Sequence, residues 1–69
     1  MKKVIHVKGM MCAHCKAHVE KALNAIDGVT AVVDLEAGLA NAELNHEVSN
    51  DVLTQAVVDA GYEVTGIDG

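Results

Sequence analysis

The chain has 69 residues and a formal net charge of -5, from 10 acids against 5 lysines and no arginine. That length suits one domain with a modest core, and the single domain is expected to run over residues 1–69. An acidic chain whose one aromatic residue is Tyr62 lacks the positive surface and stacking rings that nucleic-acid binding needs. No apolar run approaches the roughly 20 residues of a membrane span, and His6 and Lys8 interrupt the stretch after Lys2-Lys3 too early for a secretory signal. The expectation is a soluble, cytoplasmic protein with no direct membrane insertion and an aliphatic core, since Phe and Trp are absent.

The first strand is predicted over residues 3–8, KVIHVK, where Ile5 and Val7 alternate with His6 and Lys8. Gly9 ends it. A helix is predicted over 13–26, because Val19, Ala22, Leu23 and Ile26 recur at i, i+3, i+4 and i+7 and make one apolar stripe. Gly28, after Asp27, is placed as a left-handed residue closing that helix. The β-branched run VTAVVDL predicts a strand over 29–35, and the turn at 36–38 leads into a second strand over 39–45, in which Ala40, Ala42 and Leu44 alternate with polar residues. Ser49 is a good N-cap, and Asp51 lies in the first turn, where the helix dipole favours negative charge. The stripe recurs at Leu53, Ala56, Val57 and Ala60, Gly61 closes this second helix, and YEVTGI at 62–67 forms the last strand.

The order βαββαβ, with one-sided helical stripes, predicts an α+β, ferredoxin-like open-faced sandwich. It has a four-stranded antiparallel sheet, two helices on one face, and a wet opposite face bearing His6 and Lys8.

The chemistry concentrates in GMMCAHC, residues 9–15. Cys12 falls in the loop after the first strand and Cys15 at the helix start, where the positive end of the dipole stabilises a thiolate. Two thiolates at this spacing can converge on one soft ion: Cu(I), Zn(II), Cd(II) or Hg(II). Three readings compete. A thioredoxin-like redox pair fits C-x-x-C at a helix start, but the chain is short and has no proline, so it cannot supply a cis-proline beside the pair. A closed zinc site needs four ligands, and no second Cys/His pair has a suitable spacing. An open, low-coordinate Cu(I) site needs only the two thiolates and can release its ion by ligand exchange.

The sequence resembles the heavy-metal-associated domains: copper chaperones and the soluble domains of copper-transporting P-type ATPases. The resemblance rests on VIHVKGM before the site, G-M-x-C-x-x-C at Gly9 to Cys15, I-D-G-V at 26–29 and D-A-G-Y at 59–62. It implies that Cys12 and Cys15 bind Cu(I), and that Met10 is a buried prop beneath the loop. Met11 stands where some zinc-exporting relatives carry an Asp, an oxygen ligand that favours a divalent ion; Met11 offers none, which points to copper. His14 is either a solvated residue at the helix start or an auxiliary ligand that tunes the thiols. Tyr62, after the second helix, is placed beside the metal loop, with its hydroxyl facing the thiolates or its ring covering the core. His6, His18 and His46 read as surface residues.

The resemblance thus implies a Cu(I) carrier, not an enzyme, with a copper-transporting P-type ATPase or another copper-handling protein as partner. Lys8, Lys16 and Lys21, which flank the motif, would steer an acidic partner surface. The chain is expected to be a monomer, or a dimer bridged by metal between two C-x-x-C pairs. The alternatives are an Hg(II)-, Zn(II)- or Cd(II)-binding domain, a thiol redox module, or an adaptor that docks without metal.

Overall fold

A computed structural model describes residues 1–10 and 13–69. The elements are β1 (Lys2–Lys8), α1 (Ala13–Asn24), β2 (Val29–Asp34), β3 (Leu39–Leu44), α2 (Asn50–Asp59) and β4 (Glu63–Asp68). The four strands form one antiparallel sheet in the order β2-β3-β1-β4. This is the ferredoxin-like sandwich expected from the pattern of residues, and it follows from simple periodicities. Ile5 and Val7, then Ala31 and Val33, then Ala40, Ala42 and Leu44, are all buried, while the residues between them are more exposed. One face of the sheet is therefore dry and the other wet, with His6 on the wet side.

The dry face meets two helical stripes. Val19 and Leu23 of α1 and Leu53 and Val57 of α2 are fully buried, and with Ile5 they form the centre of the core. Burying each such side chain contributes about 1.5–3 kcal/mol. Lys3 falls in the same row as Ile5 and Val7, but at the end of the core. Its ammonium donates to the Val48 carbonyl at 3.1 Å and to Asn50 Oδ1 at 2.6 Å, which ties β1 to the segment that starts α2.

The element ends differ from the sequence expectation by one or two residues. Helix α1 stops at Asn24 rather than 26 because its last turn tightens: the Ile26 amide bonds the Leu23 carbonyl at 3.1 Å, three residues back. Gly28 then takes φ +83°, a left-handed conformation that a side chain would strain. The last strand begins at Glu63, and Tyr62 stands outside it because its amide still bonds back to the Val57 carbonyl of α2 at 3.2 Å.

Candidate metal centre

Two loops meet at the end of the sheet where β1 finishes. Lys8, the last residue of β1, pairs with Glu63, the first of β4, so the loop that leaves β1 runs beside the loop that enters β4. Gly9 has φ +98°, and a Cβ built there would lie 3.7 Å from Tyr62 Cδ1. A glycine here gives the backbone its left-handed turn, and the tyrosine ring lies beside it. Met10 and Tyr62 are both half-buried and packed against the hydrophobic core. The loop that precedes the cysteines is thus anchored from beneath by apolar groups.

Cys15 is the third residue of α1 and is half-buried. The first turn contains no acid, so the partial positive charge of the helix start is not offset by a carboxylate on that turn. Cys12 and Met11 lie outside the described residues. His14 is exposed beside Cys15.

His6 and His46 have partners elsewhere in the fold, and His18 is exposed. His6 bonds Asp68 across the wet side of the sheet, Nε2 to Oδ2 at 2.8 Å. His46 lies at the start of β2, over Gly28, with Nε2 3.7 Å from Asp27 Oδ2. His18 is exposed on α1. Among the described residues, no three of His, Cys, Asp and Glu are placed to hold a metal together. Of the flanking lysines, Lys8 and Lys21 are exposed and Lys16 is half-buried. The Lys8–Glu63 register was not foreseen, and it sets an acid against the first lysine of the proposed docking face.

A model of the heavy-metal-associated domain matches residues 4–63. The chain belongs to the heavy-metal-associated domain family. Among curated relatives it is 44% identical over 64 residues to "Copper chaperone CopZ" of Staphylococcus aureus (strain bovine RF122 / ET3-1), an alignment covering 90% of this chain and 94% of that protein. The solved structure of a CopZ metallochaperone superposes with a TM-score of 0.88 at 40% identity, covering 94% of this chain and 100% of the other. The N-terminal domain of a potential copper-translocating P-type ATPase from Bacillus subtilis, solved in the Cu(I)-loaded state, superposes with a TM-score of 0.81 at 34% identity, covering 97% and 89%. The family motif falls where the fold joins β1 to α1, at the end braced by Met10 and Tyr62. Among the described residues, no helix is long and apolar enough to cross a membrane.

Proposed function

We propose that this chain carries Cu(I), bound by the thiolates of Cys12 and Cys15, and passes it to a partner by ligand exchange. The observation that carries the reading is the position of Cys15. It sits half-buried in the first turn of a helix with no acid in that turn, and the approach loop is propped by Met10 and Tyr62. A thiolate there gains from the helix dipole and remains within reach of a partner. Two sulfurs satisfy a soft monovalent ion and leave room for a third, incoming sulfur. Cys12, which precedes α1 in the chain, is the first to yield or to attack; Cys15, held in the first turn of the helix, follows. Copper therefore passes through shared sulfur coordination and is never released to water. No bond of a substrate is made or broken, so the protein acts as a carrier and not as an enzyme.

The relatives support copper as the cargo, since their names include a copper chaperone and a Cu(I)-loaded ATPase domain. The partner is a copper-transporting P-type ATPase or another copper-handling protein, met in a reducing cytoplasm. Lys8, Lys16 and Lys21 contribute a weak attraction that speeds encounter more than it tightens the complex. His14 tunes the thiols as an exposed neighbour, and Tyr62 braces the loop. The chain works as a monomer, and two copies can share copper through their four thiolates.

The test is an anaerobic titration of the reduced protein with Cu(I) against a coloured Cu(I) chelator, with Zn(II) in parallel. One Cu(I) withdrawn per chain, lost in Cys12→Ser/Cys15→Ser, with zinc bound far more weakly, is the expected result. Zinc binding that rivals copper, or copper binding that survives loss of both thiols, overturns the reading.

A further inference from the structure

The free edge of β2 is occupied along its length by groups from the preceding helix and turn. Alternate amides of β2 donate away from the sheet. That of Val29 bonds the Ile26 carbonyl at 3.1 Å. That of Ala31 bonds Asn24 Oδ1 at 2.7 Å, and Asn24 Nδ2 returns a bond to the Ala31 carbonyl at 3.2 Å. That of Val33 bonds Glu20 Oε2 at 2.8 Å. The side-chain amide of Asn24 offers one donor and one acceptor, as a peptide unit of a neighbouring strand would.

The spacing makes the match possible. Four residues of α-helix rise about 6 Å, and two residues of antiparallel strand about 6.8 Å. A polar pair at i and i+4 on α1 therefore falls in step with alternate amides of β2, and the two elements run in opposite directions as paired strands do.

The segment so covered has the composition of a self-pairing strand. Residues 29–33, VTAVV, carry no charge, glycine or proline, and Val32 is 60% exposed on the wet face. An uncharged, β-branched edge with open amides is a template for another chain. Lysine and proline, the usual guards of such an edge, are both absent from β2.

We propose that Glu20 and Asn24 act as a surrogate strand that closes the β2 edge to a second copy of this chain. Without them, β2 pairs antiparallel with β2 of another molecule about a two-fold axis, and Thr30 and Val32 of both copies join one continuous open face. The proposal concerns backbone pairing and is independent of the copper reading.

The test uses the reduced protein with metal chelated, so that neither thiols nor ions bridge molecules. In the native protein, hydrogen exchange by NMR should show the Ala31 and Val33 amides protected as strongly as those of Thr30 and Val32. Free exchange at Ala31 and Val33 overturns the proposal. In Asn24→Ala the Ala31 amide should exchange about tenfold faster. In sedimentation velocity, Glu20→Ala/Asn24→Ala should form dimers and larger species that grow with concentration, while the native chain stays monomeric. Adding Val32→Lys, which puts like charges on the new joint face, should restore the monomer. A double variant that is folded by circular dichroism yet monomeric overturns the proposal, as does assembly indifferent to Val32→Lys. Should the double variant fail to fold, Asn24→Ser carries the same sedimentation comparison with the same criteria.

Discussion

The two helices of this domain bury the same kind of stripe and begin in different ways. Val19 and Leu23 of α1 and Leu53 and Val57 of α2 are pairs four residues apart, all fully buried. At its start, however, α2 is capped: the Ser49 side chain accepts from the Val52 amide at 3.3 Å, and Asp51 supplies a negative charge in the first turn. The first turn of α1 has no acid and holds Cys15. The first turn of α2 carries its own cap and acid, while the first turn of α1 has no acid and holds a cysteine. Packing and function are thus separable here. The stripe fixes where a helix lies, and the proposed copper site depends on the residues at its first turn.

The largest expected effect falls on the cysteine motif. Cys12→Ser/Cys15→Ser should abolish Cu(I) retention against a chelator, with the far-UV circular dichroism of the metal-free protein unchanged. The packing half of the comparison predicts equal treatment of both helices. Leu23→Ala and Leu53→Ala should each lower the unfolding free energy in urea by about 2–5 kcal/mol, and a negligible loss at either would break the symmetry. Removing the cap of α2 should cost less. Ser49→Ala is expected to lower stability by about 1 kcal/mol and leave copper affinity untouched, because that helix start is at a distance from the site in function as well as in chain order. The smallest effect sharpens the contrast from the other side. Ala13→Asp gives α1 the first-turn acid that α2 already has. Its charge disfavours turning two neutral thiols into an anionic bis-thiolate copper complex, so competition titration at neutral pH should show Cu(I) affinity weakened about two- to fivefold, corresponding to about 0.3–1 kcal/mol.

Periodicity carried most of the fold. The alternation of Ile5 and Val7 with His6 and the stripes at Val19–Leu23 and Leu53–Val57 rest on spacing within a few residues, and spacing is what a sequence displays; Gly28 takes the expected left-handed conformation, but four residues after α1 has ended at Asn24. Contacts between distant segments were not legible. His6 was placed on the wet face, but its partner Asp68 is 62 positions away. The register that sets Glu63 opposite Lys8 depends on how β4 enters the sheet, which no local pattern reveals. Glu20 and Asn24 lie off the apolar stripe of α1, and only the closeness of the β2 edge gives them a task. At the site, the motif itself named the cysteines and His14, and the family resemblance supplied the role of Met10. The place of Tyr62 beside the loop came from the family resemblance, and it agrees with the structure, where a Cβ built on Gly9 would lie 3.7 Å from Tyr62 Cδ1. The expected role of Cys12 falls outside the described residues and rests on the motif.

The central claim is that copper leaves this protein by exchange between thiolates and not through solution. The direct measurement is the transfer rate from the Cu(I)-loaded protein to the apo N-terminal metal-binding domain of a copper-transporting ATPase, followed anaerobically by stopped flow as the acceptor concentration is raised. The exchange mechanism predicts a rate that climbs with acceptor concentration and far exceeds the spontaneous loss of copper to dilute chelator. A rate that ignores acceptor concentration and equals that spontaneous loss would contradict it.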